Sequence, residues 1–169
     1  ADDVEQIADD VSAAFAVANA RIIEEAGEAP PGSYATTMII AIWHGGRVLI
    51  GNVGDSRAYW LPDAGEGVQL TVDDSMAQEL IAEGMDRGEA EQSPQAHAIT
   101  KWLGRDSPDI SPRVAALDLT GAGWLLVCSD GLWNYASDPA AIAHLTWQNG
   151  VMIGLGVLLV WLAIRKGFE

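Results

Sequence analysis

Trp124-Leu125-Leu126-Val127-Cys128-Ser129-Asp130-Gly131-Leu132-Trp133-Asn134 opens as a continuous apolar run and stops at a carboxylate followed by glycine. A short run of this kind reads as a buried strand. Asp130 then stands where the strand ends, held by the core and facing out of it. Gly131 lets the backbone turn with no side chain in the way. A carboxylate so placed suits a hard cation, because Mg²⁺ and Mn²⁺ prefer oxygen ligands. An Asp there also starts a turn or caps the next helix, and this segment alone favours that plainer role.

A second stretch shifts the balance. Val48-Leu49-Ile50-Gly51-Asn52-Val53-Gly54-Asp55-Ser56-Arg57-Ala58-Tyr59-Trp60-Leu61 also runs from apolar strand to Gly-Asp and back into strand. Two strand-end Gly/Asp sites in one small domain could converge on one metal cluster. Residues 51–59 resemble the central motif of the metal-dependent protein phosphatases, the PPM or type 2C serine/threonine phosphatases. Cys128-Ser129-Asp130-Gly131-Leu132-Trp133 resembles that family's late strand-end motif. Gly32-Ser33-Tyr34-Ala35-Thr36-Thr37 resembles its entry strand. Leu70-Thr71-Val72-Asp73-Asp74-Ser75 and Ile99-Thr100-Lys101-Trp102-Leu103-Gly104 resemble its flap segment. All five occur in the family's order, and together they are specific.

The chain has 169 residues, of which 49% are hydrophobic. That is enough for one domain with a sizeable core, and it excludes disorder as the main state. The formal net charge is -15. Nucleic acid is therefore not an expected partner, since little here would neutralise phosphates. Cys128 is the only cysteine, so no intrachain disulfide forms and nothing points to an oxidising compartment. Cysteine-dependent phosphatases need an arginine six positions after the cysteine, where this chain has Asn134. Cys128 reads instead as a buried strand residue. The chain does not begin with Met and opens inside a helix, which raises the expectation of a fragment.

Val4, Ile7, Val11, Ala14, Phe15, Ala18 and Ile22 recur at helical spacing, so residues 4–27 read as an amphipathic helix stopped by Gly27. Strands are expected over 36–43, 47–51, 56–61 and 68–71. A glycine turn at His44-Gly45-Gly46-Arg47 joins the first two. The succession reads as an antiparallel meander. Residues 74–83 and 85–92 read as helices within a mobile, acidic insertion spanning 73–112, and residues 96–102 as helical or irregular. Strands follow at 114–119 and 124–128, then a helix from Asp138-Pro139 to about residue 145. The pattern is α+β. It matches the four-layer α-β-β-α sandwich of antiparallel sheets implied by the resemblance, incomplete at both ends.

The resemblance implies hydrolysis of phosphoserine and phosphothreonine in phosphoproteins by water activated on two Mn²⁺ or Mg²⁺ ions. It implies Asp130 as the first metal ligand and Asp55 as the second. Without the resemblance, Asp55 reads as a turn residue paired with Arg57. Asn134 stands where many members have a further acid, so a third ion would be held weakly. The family's early phosphate-binding Arg, its Glu-Asp pair and its Asp-Gly-x-Gly-Gly-His segment would precede residue 1, so no catalytic acid is identifiable in this chain. Thr146-Trp147-Gln148-Asn149-Gly150 stands where an Asp-Asn pair would supply another ligand. The expectation is weak metal binding and poor turnover by this chain alone. His44, His97 and His144 have no metal spacing, and no Gly-x-Ser-x-Gly elbow supports a serine nucleophile.

Residues 1–145 are thus expected to be a partial phosphatase domain, monomeric and cytoplasmic. Residues 146–169 form an apolar C-terminal segment. Its uncharged run 151–164 is too short to span a bilayer alone. Three readings stand for it: a membrane anchor, a buried terminal helix or strand pair, or unrelated sequence. The alternative function is a catalytically inactive, pseudophosphatase-like binding module.

Overall fold

The computed structural model describes residues 2–30 and 32–134. The chain runs through α1 (Asp2–Ala26), β1 (Ala35–Thr36), β2 (Met38–His44), β3 (Arg47–Val53), β4 (Arg57–Pro62) and β5 (Val68–Gln69). It continues through α2 (Met76–Ala82), α3 (Arg87–Glu91), β6 (Leu103–Gly104), β7 (Arg113–Asp118), β8 (Gly123–Cys128) and α4 (Asp130–Trp133).

Two three-stranded antiparallel sheets carry the fold, in the orders β2-β3-β7 and β5-β4-β8. Three apolar clusters mark the boundaries between four layers. Ile7, Val11, Phe15 and Ile22 of α1 pack with Val53, Met38, Ile40 and Val114 on the outer face of the first sheet. Val48, Ile50 and Leu117 meet Ala58 and Leu125 between the sheets. Tyr59, Leu61, Leu126 and Cys128 receive Trp133 of α4 on the outer face of the second sheet. The order helix, sheet, sheet, helix follows from strand periodicity: Val48 and Ile50 point to one face, Leu49 and Val53 to the other. Gly51 makes the first layer contact close. A Cβ there would lie 2.5 Å from Val11 Cγ1 and 3.1 Å from Phe15 Cε2.

The α+β architecture and its antiparallel sheets agree with the sequence. The meander does not. β2 and β3 form the expected hairpin, with His44 opposite Arg47. After Val53, however, the chain leaves the first sheet, and β4 pairs instead with β5 and β8. The crossover falls at Gly54-Asp55, where Gly54 has φ +99. The expected strand over 36–43 also divides. Ala35 and Thr36 pair with Gly104 and Leu103, while Met38 onward pairs with β3. Residues 96–102 are irregular and lead into β6.

β8 is less buried than its apolar run suggests. Trp124 is 75% exposed and Val127 is exposed too. β8 is an edge strand among the described residues, and α4 covers only its Cys128 end. Four helical residues reach about 6 Å, whereas six strand residues extend about 20 Å. The insertion after β5 also differs from the mobile segment expected, because its first residues are fixed. Asp73 and Asp74 are buried, and Thr100 N–H donates to Asp74 O at 2.9 Å to close the root. Beyond the root, Ala77, Ala90 and Ala96 form a small core of their own.

No helix among the described residues is long and apolar enough to cross a membrane. The helix expected at 138–145, His144 and the apolar run 151–164 lie outside the described residues.

Candidate active site

Strand register brings the two sequence-predicted carboxylates to one end of the second sheet. β4 and β8 are antiparallel, with Arg57 opposite Cys128. Asp55 lies two residues before that pair and Asp130 two residues after it, so both sit just past the paired ends. Burial raises the pKa of Asp55, and the nearby negative charges of Asp130 and Asp73 push it the same way. Asp130 is exposed at the start of α4. Ser129, not Asp130, occupies the N-cap position.

Asp55 does not pair with Arg57, as the plainer reading had it. Arg57 turns to Asp73, with Nη2 donating to Oδ2 at 2.6 Å and Nε donating at 3.0 Å. Its guanidinium lies 3.7 Å over the ring of Trp133. Gln69 Nε2 donates to Asp73 as well, at 3.3 Å. Arg57 is therefore fully engaged in structure. Neither Asp55 nor Asp130 has an ion-pair partner among the described residues.

The turn carrying Asp55 is pinned from four directions. Gly54 N–H donates to Asp74 Oδ2, and Asp74 N–H donates back to Gly54 O, both at 3.0 Å. Asn52 Nδ2 donates to Val72 O at 3.1 Å. The hydroxyls of Thr37 and Ser56 bond at 2.9 Å. Trp133 Nε1 donates to Asp55 O at 2.9 Å. Gly54 is required at its position twice over, by its positive φ and by the Thr37 side chain, whose Cβ would lie 2.6 Å from an added Cβ.

Asp73, Asp74 and Arg113 were not recognised from sequence as parts of this site. Asp74 Oδ1 accepts from Arg113 Nε at 3.0 Å, across 39 residues. The one available signal was the adjacent acidic pair in the 70–75 segment, and a pair of acids there also reads as a helix start. Trp133 lay within a recognised motif without an assigned role.

A cavity of about 770 Å³ opens beside Asp55, lined by Arg57, Asp73, Gln78, Arg87, His97, Trp133 and Asn134 among others. Its walls mix apolar side chains, Val72 and Ile81 among them, with polar ones, and they carry both signs of charge. Among the described residues no three metal-ligating side chains converge. Two unpaired carboxylates at one sheet end still fit part of the shell of a hard divalent ion. Mg²⁺ commonly takes only one or two carboxylates and keeps waters or phosphate oxygens in its other positions.

The family model described as protein phosphatase 2C matches residues 2–148. The serine/threonine protein phosphatase PstP of Mycobacterium tuberculosis is 32% identical over 133 residues, covering 78% of this chain and 25% of that protein. The solved structure of the S. agalactiae serine/threonine phosphatase superposes with TM-score 0.73 at 30% identity, over 83% of this chain and 57% of that one. A structure of the PstP catalytic domain in complex with two manganese ions superposes with TM-score 0.60 at 30% identity, over 76% of this chain and 53% of that one. The chain thus spans between a quarter and three-fifths of these relatives. With matching motifs, matching layers and a family match over most of its length, it belongs to the protein phosphatase 2C family of serine/threonine phosphatases.

Proposed function

We propose that the domain to which this chain belongs hydrolyses phosphoserine and phosphothreonine esters in phosphoproteins, and that Asp130 and Asp55 hold a divalent ion, Mn²⁺ or Mg²⁺. The observation that carries this reading is the antiparallel register that sets two carboxylates, without ion-pair partners among the described residues, at one sheet end. A divalent ion supplies activation of water and charge stabilisation at the phosphoryl group. The chain's own contribution is to orient. Asp74, Asn52, Ser56 and Trp133 hold the turn that carries Asp55, and the rigid end of β8 carries Asp130. Arg57, locked to Asp73, is not available to clamp phosphate. The manganese of the PstP structure supports the choice of metal. We read the domain as a cytoplasmic monomer.

The test is Mn²⁺-dependent release of phosphate from a phosphothreonine peptide by the chain and by Asp130→Asn, each first shown to be folded by circular dichroism. Loss of activity in the variant supports the reading. Equal activity in both removes Asp130 from the reaction. A folded chain that binds the phosphopeptide without turnover favours the second reading, a non-catalytic binding module. That reading draws support from the engagement of Arg57 with Asp73.

A further inference from the structure

We propose that Trp133 is a positioning residue that sets where the Asp55 carboxylate lies relative to that of Asp130. The proposal rests on the reading of those two residues given above.

α4 is a single turn. Asp130 is its first residue and Trp133 its last, and positions three apart lie on one side of a helix. The same short element therefore presents one carboxylate and grips the main chain of the other, since Trp133 Nε1 donates to Asp55 O at 2.9 Å. The indole cannot drift. Trp133 is only 4% exposed, its ring packs with Tyr59, Leu126 and Cys128, and the Arg57 guanidinium covers it at 3.7 Å. Arg57 is itself fixed by Asp73 at the root of the insertion. A buried indole N–H needs an acceptor. Here the acceptor is the carbonyl of Asp55, whose carboxylate has no ion-pair partner among the described residues. Packing alone would be served by phenylalanine; the N–H adds a fixed spacing between α4 and the Gly54-Asp55 turn.

Trp133→Phe separates the two roles, because it keeps most of the apolar ring and removes the donor. Trp133→Ala would empty the cluster, and its failure to fold would say nothing about positioning. The full chain and its Trp133→Phe and Asp130→Asn variants are compared in two assays. Amide hydrogen exchange without metal reads the turn at residues 54–56. Titration with Mn²⁺, followed by the electron paramagnetic resonance of free ion, reads affinity. One hydrogen bond corresponds to roughly a 2- to 10-fold effect. The expected result for Trp133→Phe is exchange faster by about that factor at 54–56 and Mn²⁺ affinity lower by a similar factor. Unchanged exchange overturns the proposal. Faster exchange with unchanged affinity, in a chain whose affinity does depend on Asp130, also overturns it, because the bond would then be structural only. If Asp130→Asn leaves Mn²⁺ binding unaltered, the metal reading fails by itself. Trp133 is then decided by exchange: acceleration upholds its hold on the turn, and no change refutes it.

Discussion

Replacing Asp74 by alanine tests whether the turn at Asp55 is held from the root of the insertion. The carboxylate is 1% exposed and serves two donors, Gly54 N–H and Arg113 Nε, each at 3.0 Å. The two are worth different amounts. Gly54 N–H is buried, and leaving it without an acceptor costs about 1–3 kcal/mol. Arg113 is 51% exposed, and ion pairs to such groups are worth about 0–1 kcal/mol. Asp74→Ala should therefore lower stability by roughly 1–4 kcal/mol, and Arg113→Ala by about 1 kcal/mol or less. Equilibrium urea unfolding of both single variants and the double variant measures these values and their coupling. The double variant should resemble Asp74→Ala. If Arg113→Ala costs as much as Asp74→Ala, or if Asp74→Ala costs under about 1 kcal/mol, the Gly54 hydrogen bond is not what holds the turn, and the reasoning fails.

Two further outcomes follow from the same turn. Gly54→Ala combines a backbone at φ +99 with a Cβ placed 2.6 Å from Thr37 Cβ, so strain and overpacking should together cost roughly 2–6 kcal/mol; a urea midpoint within error of the parent would show that the turn relaxes freely. In EDTA, Asp55→Asn should stabilise the chain at pH 7, because burial and the neighbouring Asp130 and Asp73 raise the Asp55 pKa above 3.8. An acid with a raised folded pKa disfavours folding once ionised, and that penalty vanishes below the unfolded value. The advantage of the variant should shrink as pH falls toward about 4, and thermal melts showing a pH-independent difference would contradict it.

Much of the site was legible because its signals are local. A run of apolar residues ending in Gly-Asp announces a strand end whatever the strand pairs with, so Asp55 and Asp130 stand out. The roles around them were less legible, because each partner is distant in sequence. Arg57 looked like the natural mate of Asp55, two residues away, yet takes Asp73 across 16 residues. Trp133 reaches Asp55 across 78. The motif residues Asn52, Gly54 and Ser56 proved to brace the turn itself.

By itself, the amino-acid order determined the helix over residues 2–26, the apolar strands, the β2-β3 hairpin and the two turns that present carboxylates. Those follow from periodicity and from backbone freedom at particular residues, which neighbours in sequence decide. Only the tertiary structure decided that β3 and β4 belong to different sheets, that β8 pairs with β4 in the register that unites Asp55 with Asp130, and that Asp73 and Asp74 are buried clamps. A strand's pattern shows which face is apolar and leaves its partner open. Pairing, and the counter-charge each buried group acquires, depends on which distant segments the packed layers bring together.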